Sequence, residues 1–178
     1  MQNVCPRNAY ILDIPNYKEL LREASHRAIT DDLDDYNCGG FALGTFDWYV
    51  PYSWYDGCEE VCDLRADIDE GYIDEYDGVT RIAELFIENM VSLGLCRQVN
   101  GLEDLEKDEY LVAFRASYND FHYARRLSNG RWFHKMGYSE IQEITLADVL
   151  DDYWWKNLGC YYTGKLFFLA VKYNKEAN

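Results

Sequence analysis

The chain has no long hydrophobic run. Its longest apolar stretch, around Leu166 to Val171, falls far short of the roughly 18 to 20 residues a bilayer-crossing helix needs, so no transmembrane segment is expected. Residues Met1 to Asn8 lack a basic region followed by an apolar stretch, so they do not read as a secretory signal, and the chain as written is expected to stay in the cytoplasm. Positive charge is scarce: 17 Lys and Arg stand against 32 Asp and Glu, a formal net charge of −15. Such a surface repels phosphate backbones and anionic lipid, which argues against direct nucleic-acid or membrane binding and favours a basic partner. A zinc-finger pattern is also missing. Cys58 and Cys62 have three residues between them, with no second Cys or His pair at ligand spacing, so the six cysteines are expected to be mostly free thiols. The acidic run Asp67 to Gly71 places its glycine fifth where a calcium loop needs it sixth. No metal and no cofactor are expected.

What is present suits one compact domain spanning residues 1–178, since 48% apolar and 16% aromatic residues supply ample core and nothing marks a repeat, a low-complexity segment or a second domain. Asn16 to Ala24 reads as a helix opened by a capping arrangement of Asn16 and Glu19. A second helix is expected to begin at Asn37-Cys38-Gly39-Gly40. Residues 45–78 are dense in Trp, Tyr, Asp and Glu with little sustained period, which predicts a folded insertion. Ile82, Leu85, Phe86, Met90 and Leu93 repeat at helical spacing before Gly94. The period then becomes strand-like over 110–116, 120–127, 131–136 and 161–173, the last interrupted near Gly164, with a short helix start at Thr145 to Asp148 between the last two. Helices first and strands later predict an α+β domain, an antiparallel sheet covered by helices on one side.

Two features carry chemistry. A cysteine followed by two glycines at a helix start meets backbone N–H groups that favour thiolate, and the glycines let a substrate approach, so Cys38 is a candidate nucleophile. The second is a hairpin: residues 120–127 and 131–136 flank Ser128-Asn129-Gly130, and they hold two of the three histidines, His122 and His134. A two-residue Asn-Gly turn places these histidines on opposite faces. A three-residue loop with Gly130 left-handed pairs Leu127 with Arg131, sets His134 opposite Ala124, and puts both imidazoles on one face.

Asn37-Cys38-Gly39-Gly40-Phe41-Ala42 resembles the Asp-Cys-Ser-Gly-Phe-Val helix start of NlpC/P60 cysteine peptidases, within the papain-like group that includes the CHAP amidases. In that family the base histidine begins a downstream strand and a third polar residue, often histidine, follows about a dozen positions later. His122 and His134 match that order, and Leu105 to Phe114 resembles the turn into the family's first sheet strand. The sequence departs from the pattern in having Asn37 for Asp, Gly39 for Ser and a long aromatic insertion between nucleophile and base.

The resemblance implies a papain-like fold and a thiol hydrolase that cleaves an amide bond through an acyl-enzyme. Cys38 would be the nucleophile, His122 its base and His134 the residue that orients the base. The substrate would be a peptide, a peptidoglycan fragment or a basic protein. Tyr36 and Asn37, just before the nucleophile, are candidates to line the oxyanion or substrate pocket, and also to cap and pack the helix. His26, with no partner motif, reads as a surface or capping residue. The aromatics of 46–55 and 153–155 suit either a core or a binding groove. The alternative is an acidic, non-enzymatic binding or inhibitor protein, either a nucleic-acid mimic or an inactive papain-like module.

Overall fold

The structure, a computed structural model, describes residues 36–45, 48–51, 58–137 and 139–173. The expected helix at 16–24 and His26 lie outside the described residues. The chain is α+β, built on one six-stranded antiparallel sheet. In chain order the elements are α1 (Cys38–Leu43), α2 (Glu59–Asp69), α3 (Glu75–Ser92), β1 (Arg97–Val99), β2 (Glu109–Ala116), β3 (Phe121–Arg126), β4 (Trp132–Lys135), β5 (Ile141–Ile144), α4 (Leu146–Leu150), α5 (Asp152–Lys156) and β6 (Phe167–Lys172). The sheet runs β1-β6-β2-β3-β4-β5.

The longest helix, α3, starts six residues before the Arg81 expected from its period. The Asp74 side chain accepts from the Tyr76 N–H and opens it, and Val79, Ile82, Ala83, Phe86, Ile87 and Met90 form the buried stripe. It closes where Gly94 turns left-handed at φ 70°, with Leu95 N–H bonded to Met90 O and Gly94 N–H to Val91 O. Gly78, which looks like loop punctuation in the sequence, lies inside this helix at a close contact: a Cβ there would sit 2.6 Å from Ile68 of α2. The insertion at 45–78 therefore includes a regular helix, α2, whose period is weak because among its residues Val61 alone is fully buried.

Every position of β2 is buried, and this corrects the expectation of helices on one side only. Tyr110, Val112, Phe114 and Ala116 face the core made with α1 and α3, while Leu111 and Ala113 face a second cluster with Val149 of α4, Trp155 of α5 and Tyr162. A central strand apolar on both faces needs cover on both, and the segment from α4 to Tyr162 supplies it. Thr145 caps α4 as expected, in a reciprocal capping box with Asp148. The expected strand over 161–173 forms only from Phe167; before it, Tyr161 takes a left-handed φ of 49°, and Gly164 bonds Ala116 O. The edge strands β1 and β5, of three and four residues, are too short to show a period in sequence.

Candidate functional site

The β3–β4 hairpin adopts the three-residue loop. Gly130 is left-handed at φ 86°, Leu127 N–H bonds Arg131 O at 2.9 Å, and Ala124 pairs with His134. His122 and His134 therefore share a face, and they touch: His122 Nε2 lies 2.9 Å from His134 Nδ1. Both are almost fully buried. Tyr162, Trp155 and Trp154 pack around them, with the Tyr162 and Trp155 rings 5.5 and 5.9 Å from His122 and the Trp154 ring 5.2 Å from His134.

Gln142, opposite His134 across the β4–β5 ladder, hydrogen-bonds the His134 side chain, and the Asp148 carboxylate acts on it electrostatically. His122 Nε2 is taken up by its contact with His134 Nδ1. His122 Nδ1 is then the basic nitrogen left over. Burial lowers the pKa of His134 to about 4 against the Gln142 and Asp148 contributions, and it lowers that of His122 well below its ordinary value, helped by His134. Both rings are neutral at pH 7.

Cys38 opens α1, as expected, and lines the same cleft of about 200 Å³ as His122, together with Trp48, Asp120, Phe121 and Tyr162. Its thiol hydrogen bond goes to the Phe121 carbonyl at 3.9 Å. The expected thiolate character is not present in this arrangement. Burial, reinforced by the Asp120 carboxylate, pushes the Cys38 thiol up to about 12, although the Tyr123 and Gly39 N–H groups and the Lys135 ammonium act in the opposite sense. A helix start favours thiolate, but the depth of burial, which leaves Cys38 only 6% exposed, outweighs it.

Asn37 is committed to structure. Its Oδ1 accepts from Gly40 N–H at 3.0 Å and Tyr49 N–H at 3.1 Å, and its Nδ2 donates to Tyr49 O at 2.6 Å. It caps α1 and clamps the Tyr49 segment onto it, and it also lines the cleft beside Cys38. Gly39 completes this clamp, since a Cβ there would meet the Tyr49 ring at 2.9 Å and its carbonyl at 3.2 Å. Tyr36 is buried, with the Lys135 ammonium 5.0 Å from its ring centre, and it is not among the residues that line the cleft.

Three contributors had no sequence signal. Gln142 belongs to a short edge strand. Tyr162 was read as part of a strand, yet its hydroxyl donates to Asp120 Oδ2 at 2.9 Å while its ring faces His122. Asp120 looked like a strand start; its other oxygen accepts the Phe121 N–H at 2.8 Å, which holds the carboxylate in the cleft. Among the described residues no group of three His, Cys, Asp or Glu side chains is placed to hold a metal ion, and no helix is long and apolar enough to cross a membrane. No family model, curated protein or solved structure matches the chain.

Proposed function

We propose that the chain is a papain-like thiol hydrolase of the NlpC/P60 type that cleaves an amide bond in a peptide, a peptidoglycan fragment or a basic protein. The observation that carries this reading is the buried His122–His134 contact at the wall of the cleft that Cys38 also lines. A histidine whose outer nitrogen is held by a second histidine is a base held in orientation. His122 Nδ1 takes the Cys38 proton as sulfur attacks the carbonyl carbon, and the same proton then goes to the leaving amine. A water, deprotonated by His122, hydrolyses the thioester and releases the acid.

The resting state is a neutral thiol beside a neutral imidazole, because burial raises one pKa and lowers the other. Proton transfer therefore belongs to the step in which substrate fills the cleft and turns the thiol from Phe121 O. A second reading rests on the same burial: a thiol hydrogen-bonded to a backbone carbonyl and held protonated also suits an acidic binding module on a papain-like scaffold.

Hydrolysis separates the two. Incubated with a peptide mixture, muropeptides and a basic protein, the chain is expected to release new amino termini in at least one of them, with the Cys38→Ala variant silent. Binding without cleavage, identical in Cys38→Ala, would establish the second reading.

A further inference from the structure

A larger cleft, of about 460 Å³, lies at the opposite end of β2 and β3 from Cys38. Arg126 on its wall is four residues along β3 from His122, about 13 Å at the usual strand rise. The volume suits a small ligand, in the range of ordinary small-molecule sites. Leu105, Leu111, Leu127 and Tyr173 supply an apolar lining, and Lys107 and Arg126 supply charge.

The charge is unusual for this chain. Among the described residues every other arginine has an acceptor: Arg81 holds Glu60, Glu84 and Glu88, Arg97 holds Glu109, Arg115 holds Asp152 and Arg131 holds Glu143. Arg65 donates to Tyr118 O and Arg125 to Phe41 O. Among the described residues Arg126 makes no ion pair and neither does Lys107, although acids outnumber bases 32 to 17 in the sequence. Instead the Arg126 guanidinium lies over Gly130, its Nη2 3.1 Å from where a Cβ would be. One carboxylate, Glu109, also lines the cleft, but Arg97 holds both its oxygens, at 2.9 and 2.6 Å, so its charge is already compensated. Two cations without an ion-pair partner among the described residues therefore line one concavity.

We propose that this cleft binds a small organic anion, a carboxylate or phosphate carried on a short apolar body. The anionic group sits between Arg126 and Lys107, and the apolar body lies along Leu105 and Leu111. A guanidinium without an internal acceptor can offer paired donors to such a group.

The test is an amide-resolved NMR titration of the full chain with hexanoate, hexyl phosphate, hexanol and hexylammonium. One or both anions are expected to shift the amides of Lys107, Arg126, Leu127 and Ser128 saturably, more weakly at higher salt, and the stronger of the two identifies the preferred head group. Hexanol and hexylammonium are expected to bind at least tenfold more weakly. Arg126→Gln is expected to weaken the anion about tenfold while leaving the amide positions of β2 and β6 unchanged, and Lys107→Gln to weaken it severalfold. Absence of saturable shifts with both anions, equal binding of hexanol, or full affinity in both variants would overturn the proposal.

Discussion

Acidification from pH 7 to pH 5 is expected to destabilise the protein by about 2 kcal/mol through His134 alone, and by more once His122 is added. Both imidazoles are buried and neutral, so their folded pKa values lie below the unfolded value near 6.5, at about 4 for His134. Below pH 6.5 the unfolded chain binds protons that the folded chain refuses, so stability is complete above 6.5 and falls as pH falls toward 4. By pH 4 the His134 contribution reaches about 3 kcal/mol. Carboxylates such as Glu109, Glu143 and Asp148 have pKa values lowered by their hydrogen bonds, so they lose their contribution only at lower pH still. Urea unfolding at pH 7, 6 and 5 reads the slope. The His134→Gln variant is expected to flatten it by close to one proton; an unchanged slope would mean that His134 is not buried neutral.

Replacement of His122 by Ala is expected to slow acyl transfer by about a thousandfold, the usual worth of a positioned general base. Without it the Cys38 proton, on a thiol pushed up to about 12, has no imidazole base to receive it. The proposed hydrolase makes His134 a positioning residue that acts through His122, and its variants separate that role from simple packing. His134→Asn keeps a side-chain oxygen able to accept the His122 Nε2–H, whereas His134→Phe fills the space among Trp154 and its neighbours without an acceptor. The Asn variant is expected to retain most of the rate and the Phe variant to lose tenfold to a hundredfold. Equal rates in the two would reduce His134 to a packing residue.

How much of this was legible in the sequence follows from where each signal resides. The hairpin turn is local chemistry: Gly130 between two periodic runs left two registers open, and the observed one requires the positive φ that glycine tolerates. Helix α3 declared itself by period, yet its first turns were hidden because Gly78, needed for the close approach of Ile68, imitates a loop residue. The two-sided burial of the sheet could be read from the unbroken apolar run of β2, but the segment that covers its second face, from α4 to Tyr162, shows no sustained period.

At the site, Cys38, His122 and His134 came from residue type and order. Gln142 and Tyr162 did not, since their roles exist only through pairing across strands and through packing of a distant loop. The electrostatic state was misread for the same reason. A helix start favours thiolate in isolation, but the thiol lies under Tyr123, Phe121 and the α1 core, and desolvation outweighs the N–H groups. Asn37 was read as either a pocket residue or a cap. In the structure it caps α1 through its hydrogen bonds to Gly40 and Tyr49, and it also lines the cleft beside Cys38.

The most direct measurement is to trap the acyl-enzyme with an activated ester, which needs no knowledge of the natural substrate. The chain is mixed with p-nitrophenyl acetate at pH 7.5, quenched in acid and mapped by peptide mass spectrometry. The account predicts a burst of about one nitrophenolate per chain, with the acetyl group on Cys38, no burst in Cys38→Ala and a much slower one in His122→Ala. Acetyl groups spread over lysines or on exposed Cys62, with Cys38 unmodified until the protein is unfolded, would contradict it.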